Sequence, residues 1–325
     1  MENRPRYKSL FWPILLVGVG VTWLLSNLGI IQSINIGQLV RLWPILLIVL
    51  GFDIIFSRRY PWVGALLSLV VVGGVIVFLV SSPFTGTPFG PQIKTEVFST
   101  PIGNATAAIY YFESSNAPVE INALNDSVEL ISAEIKTYGN VHFKVEGEKS
   151  KSIHLSEVSD LMNWVVSLEN PYWKIGLSRQ VDSDVFLTGG SGEIKMDLTG
   201  IKLTSLVASL GSGQSEFTLP ESEKSYTAEI ESGSGSVFAK LPANTDLEMI
   251  LDGGSGSVQF MVPAETGLRV ILLNEGSGNL NIPDGLVNGD SEYSWETPGY
   301  ATAAHKIEIQ ILDQGSGNID IATEK

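Results

Sequence analysis

The chain has 325 residues, no cysteine, three histidines and a formal net charge of −15 beside a mean hydropathy of +0.20. That length admits one or two folded units, and the missing cysteines exclude disulfides, thiolate catalysis and cysteine-ligated metals. A strongly acidic chain repels nucleic acid and anionic lipid, which excludes a nucleic-acid partner.

Charge and apolarity are segregated. Residues 1–81 hold six Lys/Arg against Glu2 and Asp53, a balance of +4, whereas the remainder has 14 basic and 33 acidic residues, a balance of −19. After a short basic start come three apolar stretches at about 10–31, 39–56 and 61–80. They read as transmembrane α-helices matched to a hydrocarbon core of about 30 Å. A signal peptide is the rival for the first, but no small-x-small cleavage site follows it and further spans do.

Arg4, Arg6 and Lys8 fall on the same side as Arg58 and Arg59, and positive residues favour the cytoplasm. Three crossings then place the rest of the chain outside, giving a multi-pass protein of the cell membrane with an extracytoplasmic C-terminal domain. Trp12, Trp43 and Trp62 mark span ends as interfacial anchors do. Asp53 is the one acid inside a span, and pairing with Arg58 or Arg59 at the interface is preferred to an ion role.

Residues 82–97 form a Pro/Gly-rich linker, and residues 98–325 are expected to be all-β. Segments such as Ala107–Phe112, Val119–Ala123, Val128–Ile135 and Val141–Glu146 read as irregular first coils that cap a stack. From residue 189 the pattern becomes regular. The tripeptide Gly-Ser-Gly occurs six times, with glycines and serines at Gly190, Ser191, Gly192; Gly211, Ser212, Gly213; Gly233, Ser234, Gly235; Gly254, Ser255, Gly256; Gly276, Ser277, Gly278; and Gly315, Ser316, Gly317. The serines are separated by 21, 22, 21, 22 and 39 positions, and a fixed period of this size marks stacked repeats.

Each tripeptide leads into an alternating segment. Aligned on the tripeptide, Ile194, Ser215, Val237, Val258, Leu280 and Ile319 form one column, and Met196, Phe217, Ala239, Phe260, Ile282 and Ile321 the next. A period of two with one apolar face is a half-buried strand. One such strand per coil gives a single-stranded stack of coils, like a parallel β-helix or solenoid, with neighbours closing each other's core. The glycines are expected to supply positive φ at the corner. Pro220, Pro242, Pro263 and Pro283 end these strands, and a second strand follows, as in 226–231, 247–252 and 306–311.

No catalytic, cofactor or metal set is evident. His142, His154 and His305 lack metal or triad spacing, the glycine runs precede strands rather than helices, and no Asp follows them in the calcium-repeat manner. The six serines have no base beside them and read as structural turn residues. A possible binding loop lies in the long step after Pro283, where Tyr293, Trp295 and Tyr300 offer aromatic contact area to a glycan or protein. Capping of the last coil by those rings is the alternative.

The paired segments Phe-Trp-Pro-Ile-Leu-Leu (11–16) and Leu-Trp-Pro-Ile-Leu-Leu (42–47) resemble the membrane region of the LiaF-like family of bacterial envelope-stress proteins. Trp173-Lys-Ile-Gly-Leu, Asp184-Val-Phe-Leu-Thr-Gly-Gly-Ser-Gly and Met196-Asp-Leu-Thr-Gly-Ile are similar to the start of that family's extramembrane domain. The later coils resemble toast-rack, adhesin-like β domains. The resemblance implies a non-enzymatic protein that senses envelope damage or restrains a membrane signalling partner. Its alternatives are a surface adhesin or glycan-binding module and, third, a polysaccharide-active β-helix enzyme. Regulatory members of the family are usually read with an even number of spans, against three counted here.

Overall fold

The computed structural model describes residues 93–125, 128–158 and 170–324, together with six isolated helical positions at 16, 17, 20, 70, 73 and 74. The three spans at 10–31, 39–56 and 61–80 otherwise lie outside the described residues, as do most of the linker and the 159–169 stretch. Among the described residues no helix is long and apolar enough to cross a membrane.

The β domain is built from alternation. Its strands are β1 (Lys94–Pro101), β2 (Ala107–Ser114), β3 (Val119–Ala123), β4 (Glu129–Thr137), β5 (Asn140–Glu146), β6 (Ser150–Val158) and β7 (Tyr172–Leu177). There follow β8 (Asp182–Gly189), β9 (Ile194–Asp197), β10 (Lys202–Ser209), β11 (Ser215–Thr218), β12 (Tyr226–Glu231), β13 (Val237–Lys240) and β14 (Leu247–Asp252). The last are β15 (Val258–Val262), β16 (Gly267–Leu272), β17 (Leu280–Asn281), β18 (Val287–Asn288), β19 (Ser294–Glu296), β20 (Lys306–Asp313) and β21 (Ile319–Thr323). β1 begins inside the stretch read as linker, because Glu96–Ile135 and its neighbouring register pairs zip that segment onto β4.

Two sheets result. The first runs β1-β4-β7-β3-β9-β11-β13-β15-β21-β17, and the second β18-β19-β16-β20-β14-β12-β10-β8-β2-β6-β5. Each coil gives one strand to each sheet: the second strands expected at 226–231, 247–252 and 306–311 are β12, β14 and β20, so the coils are two-stranded and the single-stranded description does not hold. The expected columns form in register: Ile194, Ser215, Val237, Val258 and Ile319 pair in turn, as do Met196, Phe217, Ala239, Phe260 and Ile321. Opposite them, Leu206, Ala228, Met249, Ile309 and Val270 make an inner column of the second sheet. These side chains are buried, each large one stabilising by about 1.5–3 kcal/mol. In the first sheet, bulk alternates as Phe217, Ala239, Phe260 along the column, which lets the layers interdigitate.

The coils do not stack in sequence order. The final coil, β20–β21, is inserted between β14–β15 and β16–β17, so Ile321 pairs with Phe260 and Ile319 with both Val258 and Leu280. The other end mirrors this: β2–β3 lies between β8–β9 and β6–β7. Both edges of each terminal coil are thereby paired. The outermost positions go to coils that carry their own covers. The antiparallel pair β18–β19 covers β16, β17 is only two residues long, and antiparallel β1, β4 and β5 close the far end. The expectation of a uniformly parallel, consecutive stack is corrected at both ends for this reason. At the β1/β5 end, Phe98 stacks on Phe143 at 5.0 Å, joining the two sheet edges.

Between β9 and β10 the turn is set locally. The Asp197 carboxylate accepts the Thr199 N–H at 3.0 Å, Ile201 N–H donates to Leu198 C=O at 2.9 Å, and Gly200 adopts φ +81°. Trp173, fully buried on β7, leaves its indole N–H without a hydrogen-bond partner.

Candidate functional site

The Gly-Ser-Gly corners share one edge of the stack. Each serine N–H donates to a carbonyl of the coil before it in space. Ser191 bonds Ser115, Ser212 bonds Gly190, Ser234 bonds Gly211, Ser255 bonds Gly233, Ser316 bonds Gly254 and Ser277 bonds Gly315, all within 2.9–3.1 Å. The six hydroxyl side chains are exposed in a row, which Asn116 extends by accepting from Ser191 Oγ at 2.7 Å.

The reason for glycine here differs from the expected one. Of the twelve tripeptide glycines only Gly315 has positive φ, at +69°. What excludes a side chain is proximity. A Cβ on Gly213, Gly235, Gly256, Gly317 or Gly278 would lie 1.7–2.0 Å from the carbonyl oxygen of the corresponding glycine one coil away. Gly192 meets Ala117 C=O in the same way at 2.3 Å, and Gly190, Gly211, Gly233, Gly254 and Gly276 meet carbonyl oxygens at 1.7–2.2 Å. Backbone packs on backbone across the whole corner.

The aromatic loop divides. Tyr300 is buried, with the Arg269 guanidinium 4.2 Å from its ring centroid. Arg269 in turn donates through Nε and Nη2 to Glu296 at 3.1 and 2.9 Å and approaches Glu308 at 3.5 Å. These carboxylates hold the guanidinium above its ordinary value, chiefly through the Glu296 hydrogen bond. Trp295 is half-buried against the core, and only Tyr293 stands exposed. Two of the three proposed contact rings therefore pin the loop to β16 and β20.

On the outer face of the second sheet, antiparallel register brings His142 and Lys144 of β5 beside Ser156 and His154 of β6, lining a groove of about 620 Å³ with Phe143 and Glu146. No sequence spacing reveals that meeting, since the hairpin register decides it. Glu146 is held below the usual carboxylate range, first by its hydrogen bond and charge contact with Lys144. Among the described residues no group of three or more His, Cys, Asp or Glu could hold a metal ion. His154, Tyr111 and Phe186 stack face to face across β6, β2 and β8 at 4.4 and 4.9 Å. Tyr111 lies between the other two rings, so both of its faces are covered.

The two outer faces carry charge differently. On the first sheet Glu134, Lys174, Glu120, Lys195 and Glu216 alternate in sign across five strands. Lys195 is held above its ordinary value, first by its hydrogen bond to Glu193 and then by nearby carboxylates including Glu216 and Glu120. On the second sheet like charges meet in register: Glu231 faces Asp252, which faces Asp313, and Glu248 faces Glu308. A row of half-buried apolar side chains, Tyr111, Phe186, Val207, Ile250 and Ile271, is interrupted by Glu229 and Gln310.

Residues 11–92 match the family model of the LiaF transmembrane domain, and residues 116–238 match that of the N-terminal domain of toast_rack, DUF2154. Among solved structures, a protein provisionally described as a cell adhesion protein from Clostridium sporogenes ATCC 15579 is similar at 20% identity and a TM-score of 0.53. That likeness covers 72% of this chain and 100% of the other, and it shows the fold. A provisionally described adhesin from Bacteroides fragilis NCTC 9343 overlaps less well, at 11% identity and a TM-score of 0.34, over 72% of this chain and 99% of its own. No curated protein matches the chain.

Proposed function

From a chain that joins a LiaF-type transmembrane segment to a toast-rack β domain, we propose an envelope protein that acts by binding and not by catalysis. In this reading three spans hold the β domain outside the cell, where it senses or modulates envelope stress, with the bilayer and a membrane signalling protein as partners. The observation that carries it is the union, in one chain, of a membrane segment at 11–92 with a stack whose surfaces are repeated rows. Such a stack resists deformation, since every inner coil shares hydrogen bonds and core with two neighbours. The test is protease accessibility of residues 98–325 on intact cells. Digestion without permeabilisation is expected, and full protection would move the domain inside.

A second reading, surface adhesion through a glycan without a signalling role, is favoured by the row of exposed serine hydroxyls on one edge. Cross-linking in the membrane separates the two. A protein partner supports signalling, whereas retention on isolated cell-wall glycan without such a partner supports adhesion.

A further inference from the structure

We propose that the outer face of the second sheet, across β10, β12 and β14, is a docking surface for a cationic amphipathic peptide segment. Like charges directly opposite one another on neighbouring strands cost stability. Glu231 and Asp252 are placed that way, and among the described residues no lysine or arginine forms an ion pair with either. The first sheet resolves the same problem by alternating Glu and Lys in register. The second sheet is left electrostatically incomplete on this face, and a basic partner completes it.

The neighbouring row specifies the rest of the partner. Glu229 lies in register between Val207 and Ile250, both half-buried, so one carboxylate is flanked by two apolar side chains, and Phe186 continues the row beyond Val207. A segment that alternates basic and apolar side chains meets acids and aliphatic surface at once. A purely basic segment would satisfy only the charges. The acids give long-range attraction and salt dependence, and the aliphatic row gives contact area.

This inference rests on the reading of the β domain as a binding module and names its partner's chemistry. The test uses the full chain in phosphatidylcholine nanodiscs and a labelled synthetic peptide of alternating Lys and Leu, with anisotropy on empty nanodiscs subtracted. The variant E229Q/E231Q/D252N is expected to bind about tenfold more weakly, while the first-sheet variant E120Q/E216Q stays within about twofold of the parent. A Lys/Ser peptide of equal charge is expected to bind about tenfold more weakly than the Lys/Leu peptide. Equal loss in both variants would reduce the effect to overall acidity, and either an unchanged second-sheet variant or equal binding of the two peptides would also overturn the proposal. Any of these leaves the accessibility of the β domain on intact cells untouched, so failure here is distinct from failure of the broader reading.

Discussion

The backbone of Gly317 lies against that of Gly256: a Cβ on Gly317 would sit 1.7 Å from the Gly256 carbonyl oxygen. Gly278, much nearer to Gly256 in the chain, packs on the far side of Gly317 instead. Two consequences follow for stability, one for the corner and one for the order of the coils.

At the corner, Gly235→Ala places a methyl 1.8 Å from the Gly213 carbonyl oxygen, with backbone on both sides that cannot yield like a side chain. The expected cost is about 3 kcal/mol, whereas Ser234→Ala, exposed on the same corner, stays within about 0.5 kcal/mol. Urea unfolding followed by strand circular dichroism checks this. Equal behaviour of the two variants contradicts backbone contact as the reason for glycine.

For the coil order, truncation before His305 removes β20 and β21 from between two other coils, not from the end of a row. The core faces of Met249 and Phe260 on one side and Val270 on the other then lose their partners together. Protease resistance is expected to be lost back through β14 and β15. In a consecutive stack the same deletion would expose only one new edge. Mass spectrometry of limited digests distinguishes the outcomes.

Like charges facing each other predict a gain on neutralisation. Asp252→Asn relieves repulsion with Glu231 and Asp313, and stabilisation of about 0.2–1 kcal/mol is expected, largest at low salt. Glu216→Gln, which removes a carboxylate facing Lys195, should show no such gain. A thermal midpoint that falls for Asp252→Asn would refute the repulsion.

Arg269 ties the 283–305 insertion to β16 and β20 through Glu296, Glu308 and the Tyr300 ring. Arg269→Ala is expected to cost about 1–2 kcal/mol, and Arg269→Lys to recover little of it, because an ammonium lacks the planar fork that pairs with Glu296 while lying over the ring. Early proteolysis within 283–305 is the readout.

Alkaline pH should weaken the domain through two buried phenols. Burial pushes Tyr110 and Tyr226 well above the ordinary tyrosine value, for Tyr110 with a partial offset from a Ser183 hydrogen bond. Their hydroxyls donate to Leu130 C=O at 3.1 Å and Pro220 C=O at 2.8 Å. The unfolded chain releases these protons near pH 10 and the folded chain later, so the stability is whole below about pH 10 and is lost as pH rises towards the folded values. Tyr226→Phe should flatten that decline in a pH series of urea midpoints, and an unchanged slope would count against it.

Much of the fold was legible because it is written in short periods. The alternation through Ile194, Met196, Phe217 and Phe260 fixes which face of each strand is buried, and Gly-Ser-Gly fixes where each coil turns. The reason for glycine was misread, since φ is a local property while the clash with a neighbouring carbonyl exists only once coils stack. Tyr300 and Trp295 looked like a contact surface because a sequence shows aromatic rings but not Arg269 beneath them.

By itself the sequence determined the strands that follow the Gly-Ser-Gly corners, their inward faces, the corners and the acidity of everything after the apolar start. Those follow from periods of two and of about 21 residues, which neighbouring side chains enforce. Only the tertiary structure decided that β20–β21 sits inside the stack, that Lys144 faces His154 across the β5–β6 hairpin, and that Glu and Lys alternate on one outer face while Glu231, Asp252 and Asp313 line up on the other. Such outcomes depend on which strand edges pair across long separations, and parallel edges of similar coils are nearly interchangeable until sheet closure at both ends selects one order.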